Sequence, residues 1–292
     1  ENILQTNGAT GANLLALYAL INPGDHVVSM LPSYQQLYDI PRSLGAEVTF
    51  IHLKEEEDWS LDIEALAQAM RPNTKMIALN SANNPTGTLL DRETLLKVVQ
   101  LAKPSGAYVL VDEVYAPLTD EGDFWSIADL YERGIATNSL SKTYSIPGIR
   151  IGWTAASEEL TESFRKYRDY TMICGGVLQD EMAVHALRNR DKIIARNKAI
   201  VARNRKILVE WVDSEPRVSL VTPNYVSTSF IKLDIPVDDH TFCVDLLEDT
   251  GVLLVPGSAF DVPGHARVGY CCREDVLREG LSRLSTYLRK FD

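Results

Sequence analysis

Cysteine is scarce in this chain. There are four, Cys174, Cys243, Cys271 and Cys272. None forms a CxxC pair and no histidine cluster accompanies them, which argues against a zinc site. The adjacent pair Cys271-Cys272 reads as core packing rather than redox chemistry. No signal peptide is present, so a reducing cytoplasm is the simplest setting. Positive charge is also short: 29 Lys and Arg stand against 40 Asp and Glu, a net charge of −11. A surface that binds nucleic acid must be basic, so this balance argues against that function; its ordinary effect is to keep a protein soluble. No apolar run is long enough to cross a bilayer. No GxGxxG turn occurs, so a nicotinamide site is not indicated. Repeats and low-complexity linkers are missing too.

What remains is an apolar-rich chain of 292 residues, 45% hydrophobic, enough for one large domain and a smaller one. The first half alternates short apolar strands with amphipathic helices. Strands are expected over residues 3–6, 26–30, 45–53, 75–80, 108–112, 135–140 and 149–155. A glycine-rich turn over 7–11 leads into a helix over 12–20, and Asn22-Pro-Gly24 stops it. Asp91 is placed to cap a helix running to about Ala102. Near-continuous apolar strands separated by helices mean a sheet buried on both faces, the doubly wound, mostly parallel α/β pattern. The second half changes character. Residues 163–211 read as helical and rich in Arg and Lys, a solvated helix face. Strands then follow at 219–221, 227–233, 251–255 and 266–271, with helices at 239–250 and 274–290. This predicts a large domain over 1–188 and a smaller α+β domain over 189–292. The first residues, Glu1-Asn-Ile-Leu-Gln-Thr6, read as a strand already under way, which predicts a further segment upstream.

In doubly wound sheets the ligand sits at the C-terminal ends of the strands. The chemistry-bearing residues fall there. The richest segment is Ser139-Leu-Ser-Lys-Thr-Tyr-Ser-Ile-Pro-Gly-Ile-Arg150. It sets an amine, Lys142, beside two small hydroxyls, with the Arg150 guanidinium eight positions on and Gly148 as the expected bend. An amine to form an imine, with hydroxyls and a guanidinium for a phosphate, suits a phosphorylated aldehyde, and so pyridoxal 5′-phosphate. Ser139, Ser141 and Arg150 supply phosphate donors. The turn Gly8-Ala9-Thr10 opens a helix, where free N–H groups and the helix dipole favour an anion. Asp112 ends a buried strand, where a carboxylate needs a partner; a protonated pyridine nitrogen is suitable. Glu113 is its competitor, but neighbouring strand residues face opposite ways. Tyr115 and Asn84 can each reach a cofactor's phenolic oxygen. Tyr34, after Leu31-Pro-Ser, either stacks on a ring or packs in the core. Arg267 suits a substrate carboxylate.

Taken together these residues resemble the fold-type I, pyridoxal-phosphate-dependent aminotransferases of class I/II. The motifs Asn83-Asn-Pro-Thr-Gly87, Asp112-Glu-Val-Tyr115 and Ser139-Leu-Ser-Lys142 with Gly148-Ile-Arg150 appear in family order. Their spacing also suits, 28 residues from Asn84 to Asp112 and 30 from Asp112 to Lys142. The resemblance implies that Lys142 is the Schiff-base lysine and proton shuttle, and Asp112 the partner of the pyridine nitrogen. It implies Asn84 and Tyr115 as ligands of the phenolic oxygen, and Ala9, Thr10, Ser139, Ser141 and Arg150 as the phosphate cup. Tyr34 is similar to the stacking aromatic, and Arg267 to the binder of the substrate α-carboxylate. It implies transamination between an amino acid and a 2-oxo acid, and a homodimer. Elimination or a synthase step would use the same residues, and a non-catalytic domain is the third reading. Two departures stand out. Family members carry some tens of residues before the glycine-rich turn. Aspartate-type members add a second Arg for a side-chain carboxylate, whereas residues 170–176 hold none, which disfavours a dicarboxylate donor.

Overall fold

The structure is a computed structural model that describes residues 1–120 and 122–291. In chain order its elements are β1 Ile3–Asn7, α1 Gly8–Leu20, β2 His26–Leu31, α2 Gln36–Ser43, β3 Glu47–His52, α3 Ile63–Ala69, β4 Thr74–Asn80, α4 Arg92–Ala102, β5 Tyr108–Asp112, α5 Ile127–Leu130, β6 Gly134–Ser139 and β7 Ile151–Ala155. Then come α6 Glu158–Arg168, α7 Val177–Arg188, α8 Arg190–Ser214, β8 Val218–Leu220, β9 Thr228–Leu233, α9 Asp239–Thr250, β10 Val255–Pro256, β11 His265–Gly269 and α10 Glu274–Leu288. No helix among the described residues is long and apolar enough to cross a membrane.

Seven strands form one sheet in the order β1-β7-β6-β5-β4-β2-β3. The pairs β2·β3, β2·β4, β4·β5 and β5·β6 are parallel, and β7 runs antiparallel to both β6 and β1. The expected burial of both faces holds residue by residue. Val28, Ile77, Leu79, Val109, Val111 and Ala136 pack on one side with Leu95, Val98 and Val99 of α4. Their chain neighbours Val27, Met76, Ala78, Leu110 and Ile135 pack on the other with Leu15 and Leu17 of α1 and Phe164 of α6. Side chains alternate along a strand, so two apolar cores require unbroken apolar runs. Asp91 caps α4 as expected, accepting from Thr94 N at 2.8 Å, which stabilises the helix by about 1 kcal/mol.

The second sheet, β10-β11-β9-β8, is antiparallel. Helices α8, α9 and α10 cover one face around Ile231, Ala266, Val268, Leu246, Leu281 and Leu284. Phe230, on the other face, lies 5.8 Å ring to ring from Trp59 and joins the core of the large sheet. The second sheet therefore joins the core of the first through Phe230.

Three boundaries differ from expectation. The predicted turn at 7–11 is mostly helix, because α1 starts at Gly8 directly after β1. Only Gly8 needs the left-handed backbone, with φ +72°. The strand expected over 251–255 shrinks to Val255–Pro256, because Gly251 takes the left-handed cap of α9. The strand expected from 149 begins at Ile151, because Pro147–Ile149 closes a tight turn first.

Candidate active site

Strand register assembles the site. Asn80 pairs with Asp112, Asp112 with Thr137, and Ser139 with Gly152. These positions therefore lie abreast on one edge. Since β7 is antiparallel, its beginning arrives where β6 ends, and Arg150 stands there. Since β1 is antiparallel to β7, Asn7 pairs with Ile151 and delivers the start of α1 to the same edge.

A cavity of about 210 Å³ opens at this edge, bounded by Ala9, Thr10, Tyr34, Asn84, Asp112, Tyr115, Ser139, Ser141, Lys142 and Arg150. Ten of the eleven residues singled out from sequence meet in it. The eleventh, Arg267, lines an adjoining compartment of about 280 Å³ that shares Asn84, Tyr115 and Lys142 with the first. Arg267 sits in mid-β11, its Nη1 donating to Asn84 Oδ1 at 3.2 Å.

Lys142 opens onto the cavity. The surrounding walls still strip enough water from its amine to lower its pKa, and Arg267 pushes the same way against Asp112. Asp112 is 2% exposed. Burial raises its pKa, opposed by hydrogen bonds from Asn13 and Val114 N and by the charge of Lys142. Asn13 Nδ2 donates to Asp112 Oδ2 at 2.8 Å, and Thr137 Oγ1 donates to Asn13 Oδ1 at 2.6 Å. Glu113 faces away, as alternation requires. Its carboxylate accepts from Ile127 N at 3.0 Å and from Ser126 Oγ at the start of α5. Burial pushes its pKa up to about 8 against the bonds from Ile127 N and Ser126. Burial also raises the pKa values of Tyr34 and Tyr115, the latter with the Ser227 hydroxyl beside it.

Arg150 closes the cup. Its Nη1 donates to Ser141 Oγ at 3.3 Å and to Pro147 O at 2.9 Å, and its Nη2 to Asn7 O at 3.3 Å. The bend expected at Gly148 is the tight turn Pro147–Ile149, but its left-handed residues lie on either side. Gly148 has an ordinary φ, while Ser145 (φ 59°) and Arg150 itself (φ 55°) take the left-handed region. That conformation costs an L-residue about 1 kcal/mol each time. It aims the guanidinium back under the start of α1. Glycine is needed opposite it: a Cβ on Gly8 would lie 2.4 Å from Arg150 Nη2. Gly152 is tighter still, since its Cβ would lie 2.4 Å from Gly8 C and 2.6 Å from Ala9 N. These neighbours are backbone and cannot rotate away. Gly152→Ala is expected to destabilise the fold by about 3 kcal/mol and to weaken cofactor binding. Gly148→Ala, which meets nothing within 4 Å, should change neither; paired thermal melts and cofactor titrations check both.

Sequence reasoning missed Asn13, Thr137 and Asn80. Asn80 Nδ2 donates to Asp112 O at 2.8 Å and its Oδ1 accepts from Asn84 N at 2.8 Å. A signal existed for Asn13, a lone amide inside the apolar helix Gly8–Leu20, but nothing local said what it would meet.

The donors fit a compact anion at one end of the cavity. Asp112, buried without an ion-pair partner among the described residues, fits a ring cation at the other. Lys142 lines the same cavity and offers an amine for an aldehyde. Such a cavity defines a pyridoxal 5′-phosphate enzyme, and comparison with known proteins narrows the class. Residues 1–284 match the family Aminotransferase class I and II. A solved PLP-dependent aminotransferase from Streptococcus suis 89-1591 superposes with a TM-score of 0.97 at 54% identity, covering 100% of this chain and 78% of that one. A probable N-acetyl-LL-diaminopimelate aminotransferase of Bacillus subtilis is 32% identical over 99% of this chain and 74% of its own length. The aspartate aminotransferase of Thermotoga maritima is 30% identical over 99% and 76%. The chain belongs to the class I and II aminotransferases. It depends on pyridoxal 5′-phosphate and moves an amino group between an amino acid and a 2-oxo acid.

Proposed function

We propose that Lys142 is the residue on which this transamination turns, and that each lining residue has a separate task. When bound, pyridoxal 5′-phosphate supplies an electron sink for the charge left on an amino acid's Cα after its proton is removed. Lys142 Nζ would hold the cofactor at its aldehyde carbon at rest and, once released by the donor's amine, would move the Cα proton; its lowered pKa leaves more of it as the free amine at neutral pH. Asp112 keeps a proton on the pyridine nitrogen. Asn84 and Tyr115 hydrogen-bond the phenolic oxygen. The backbone at Ala9 and Thr10, the hydroxyls of Ser139 and Ser141 and the Arg150 guanidinium hold the phosphate. Tyr34 covers the ring. The observation that carries this reading is the convergence of amine, buried carboxylate and anion cup on one cavity.

Arg267 receives the donor's α-carboxylate. Its desolvated guanidinium, with a pKa lowered by burial, gains most from an anionic partner. The compartment beyond it is lined by Ser227, Thr228, Cys271 and Cys272, and among the described residues Arg267 and the reactive Lys142 are its only basic side chains. This supports a donor with an uncharged side chain. A screen of amino donors, following the loss of cofactor absorbance, tests both points. Uncharged donors should outperform aspartate. Arg267→Ala should raise their KM on the order of a hundredfold with cofactor affinity unchanged. Unaltered KM would remove Arg267 from the role.

We further propose a division at about residues 188 and 189 between a large and a smaller domain, a cytoplasmic setting in keeping with four unpaired thiols, and a homodimer. Tyr170, Ile173, Val177, Leu178 and Met182 form an exposed apolar surface at α7, of the kind that a second copy covers. Sedimentation should give twice the chain mass, and Leu178→Asp should shift it toward the monomer.

A further inference from the structure

Two asparagines on α8 take no part in the chemistry above. Asn197 and Asn204 are seven residues apart in one helix, close to two full turns, so they share a face. Asparagine is a poor helix former, and burying an amide strips water from its donors and its acceptor. Yet the two are 3% and 0% exposed, and every polar atom of both amides is satisfied. Asn197 Nδ2 donates to Thr143 O at 2.8 Å and to Ser145 Oγ at 3.1 Å. Asn204 Nδ2 donates to Tyr270 O at 2.7 Å and to Cys272 O at 2.8 Å. Each Oδ1 accepts from the arginine before it, Arg196 Nη1 at 3.2 Å and Arg203 Nε at 3.1 Å. The same device thus occurs twice. One copy grips the residue after Lys142. The other grips the segment that leaves β11, the strand of Arg267.

We propose that α8 is a strut that sets the separation of Lys142 from Arg267, with Asn197 and Asn204 as the positioning residues at its two grips. The grips lie about 10 Å apart along the helix. A donor must offer its Cα to Lys142 while its carboxylate meets Arg267, so the spacing of these groups decides whether binding is productive. A misplacement of about 1 Å can cost roughly a hundredfold in rate. Each asparagine holds at least one backbone carbonyl, Asn197 that of Thr143 and Asn204 those of Tyr270 and Cys272, so they fix chain position. The strut rests on the roles given to Lys142 and Arg267.

The test uses the full chain loaded with pyridoxal 5′-phosphate. Asn204→Ala should raise the amino-donor KM about tenfold and leave the pH midpoint of the cofactor's visible absorbance where it was. Asn197→Ala should raise KM comparably and also move that midpoint, because the loop of Lys142 is released. In the double variant the KM increases should not multiply, since freeing one end already frees the spacing. Unchanged KM with only a lower melting temperature would overturn the strut, and so would fully multiplicative effects. Should the alanine variants fail to fold, Arg196→Ala and Arg203→Ala remove the bond to each amide oxygen from exposed positions, and Glu274→Gln controls for the surface ion pair that Arg203 also makes. A two- to threefold rise in KM, as for roughly half a hydrogen bond, supports the strut, and no rise in either overturns it. Borohydride reduction keeps the two readings apart. If it fixes the cofactor to Lys142 in the wild-type chain, that role stands whatever the asparagine variants do.

Discussion

Lys142→Ala is expected to lower turnover of every amino donor by about four orders of magnitude or more, because one side chain combines a covalent hold on the cofactor with proton transfer. The fold should survive. Lys142 faces the cavity, and among the described residues its amine makes no ion pair that the variant would break. The measurement is donor half-reaction rate together with borohydride reduction. The wild-type chain should gain the mass of the reduced cofactor, and the variant should not. Wild-type turnover in the variant, or cofactor still fixed to the chain, would remove Lys142 from its role. Because retention of folding and loss of covalent capture are read independently, an inactive but misfolded variant is not mistaken for support.

Asp112→Asn is the second large effect, on the order of a thousandfold in turnover. The substitution keeps the shape and one acceptor oxygen for Asn13, so the Thr137–Asn13 chain remains while the longer bond from Val114 N is lost. What it removes is the negative charge. In the chain alone, burial disfavours that charge; a ring cation beside the carboxylate would stabilise it, and the proton on the ring nitrogen with it. The neighbouring carboxyl is the natural control. Glu113 faces away from the cavity, its pKa pushed up to about 8 by burial, and it serves the start of α5. Glu113→Gln should therefore leave turnover within about threefold, an ordinary range for a satisfied polar replacement. Equal losses in both variants would mean that the effect is structural, and the assignment to Asp112 would fail.

The two carboxylates also show what local pattern can and cannot reveal. The run Tyr108–Asp112 was legible to the residue, because a continuous apolar stretch closed by charge has few alternatives. That Asp112 and Glu113 face opposite ways followed from the period of a strand. The motif residues were legible because each follows an apolar strand, where a doubly wound sheet collects its ligand groups. Gly148 does sit in the tight turn Pro147–Ile149, but the left-handed residues that shape the loop, Ser145 and Arg150, carried no local signal. Asn13 was read as part of an ordinary helix. Its role exists only because α1 crosses above Asp112 and Thr137, which are 99 and 124 residues away in the chain.

Element type, the doubly wound class and the identity of the reactive groups were set by periodicities of two and of 3.6 residues, which a sequence displays directly. The site itself was decided by pairing between distant strands. The register of β4, β5 and β6 puts Asn80, Asp112 and Thr137 abreast. The reversed direction of β7 turns Arg150 toward Ser141 and the start of α1. Such juxtapositions depend on which strands meet after long loops have closed, and that is settled by burial of the whole core, on which local sequence is silent.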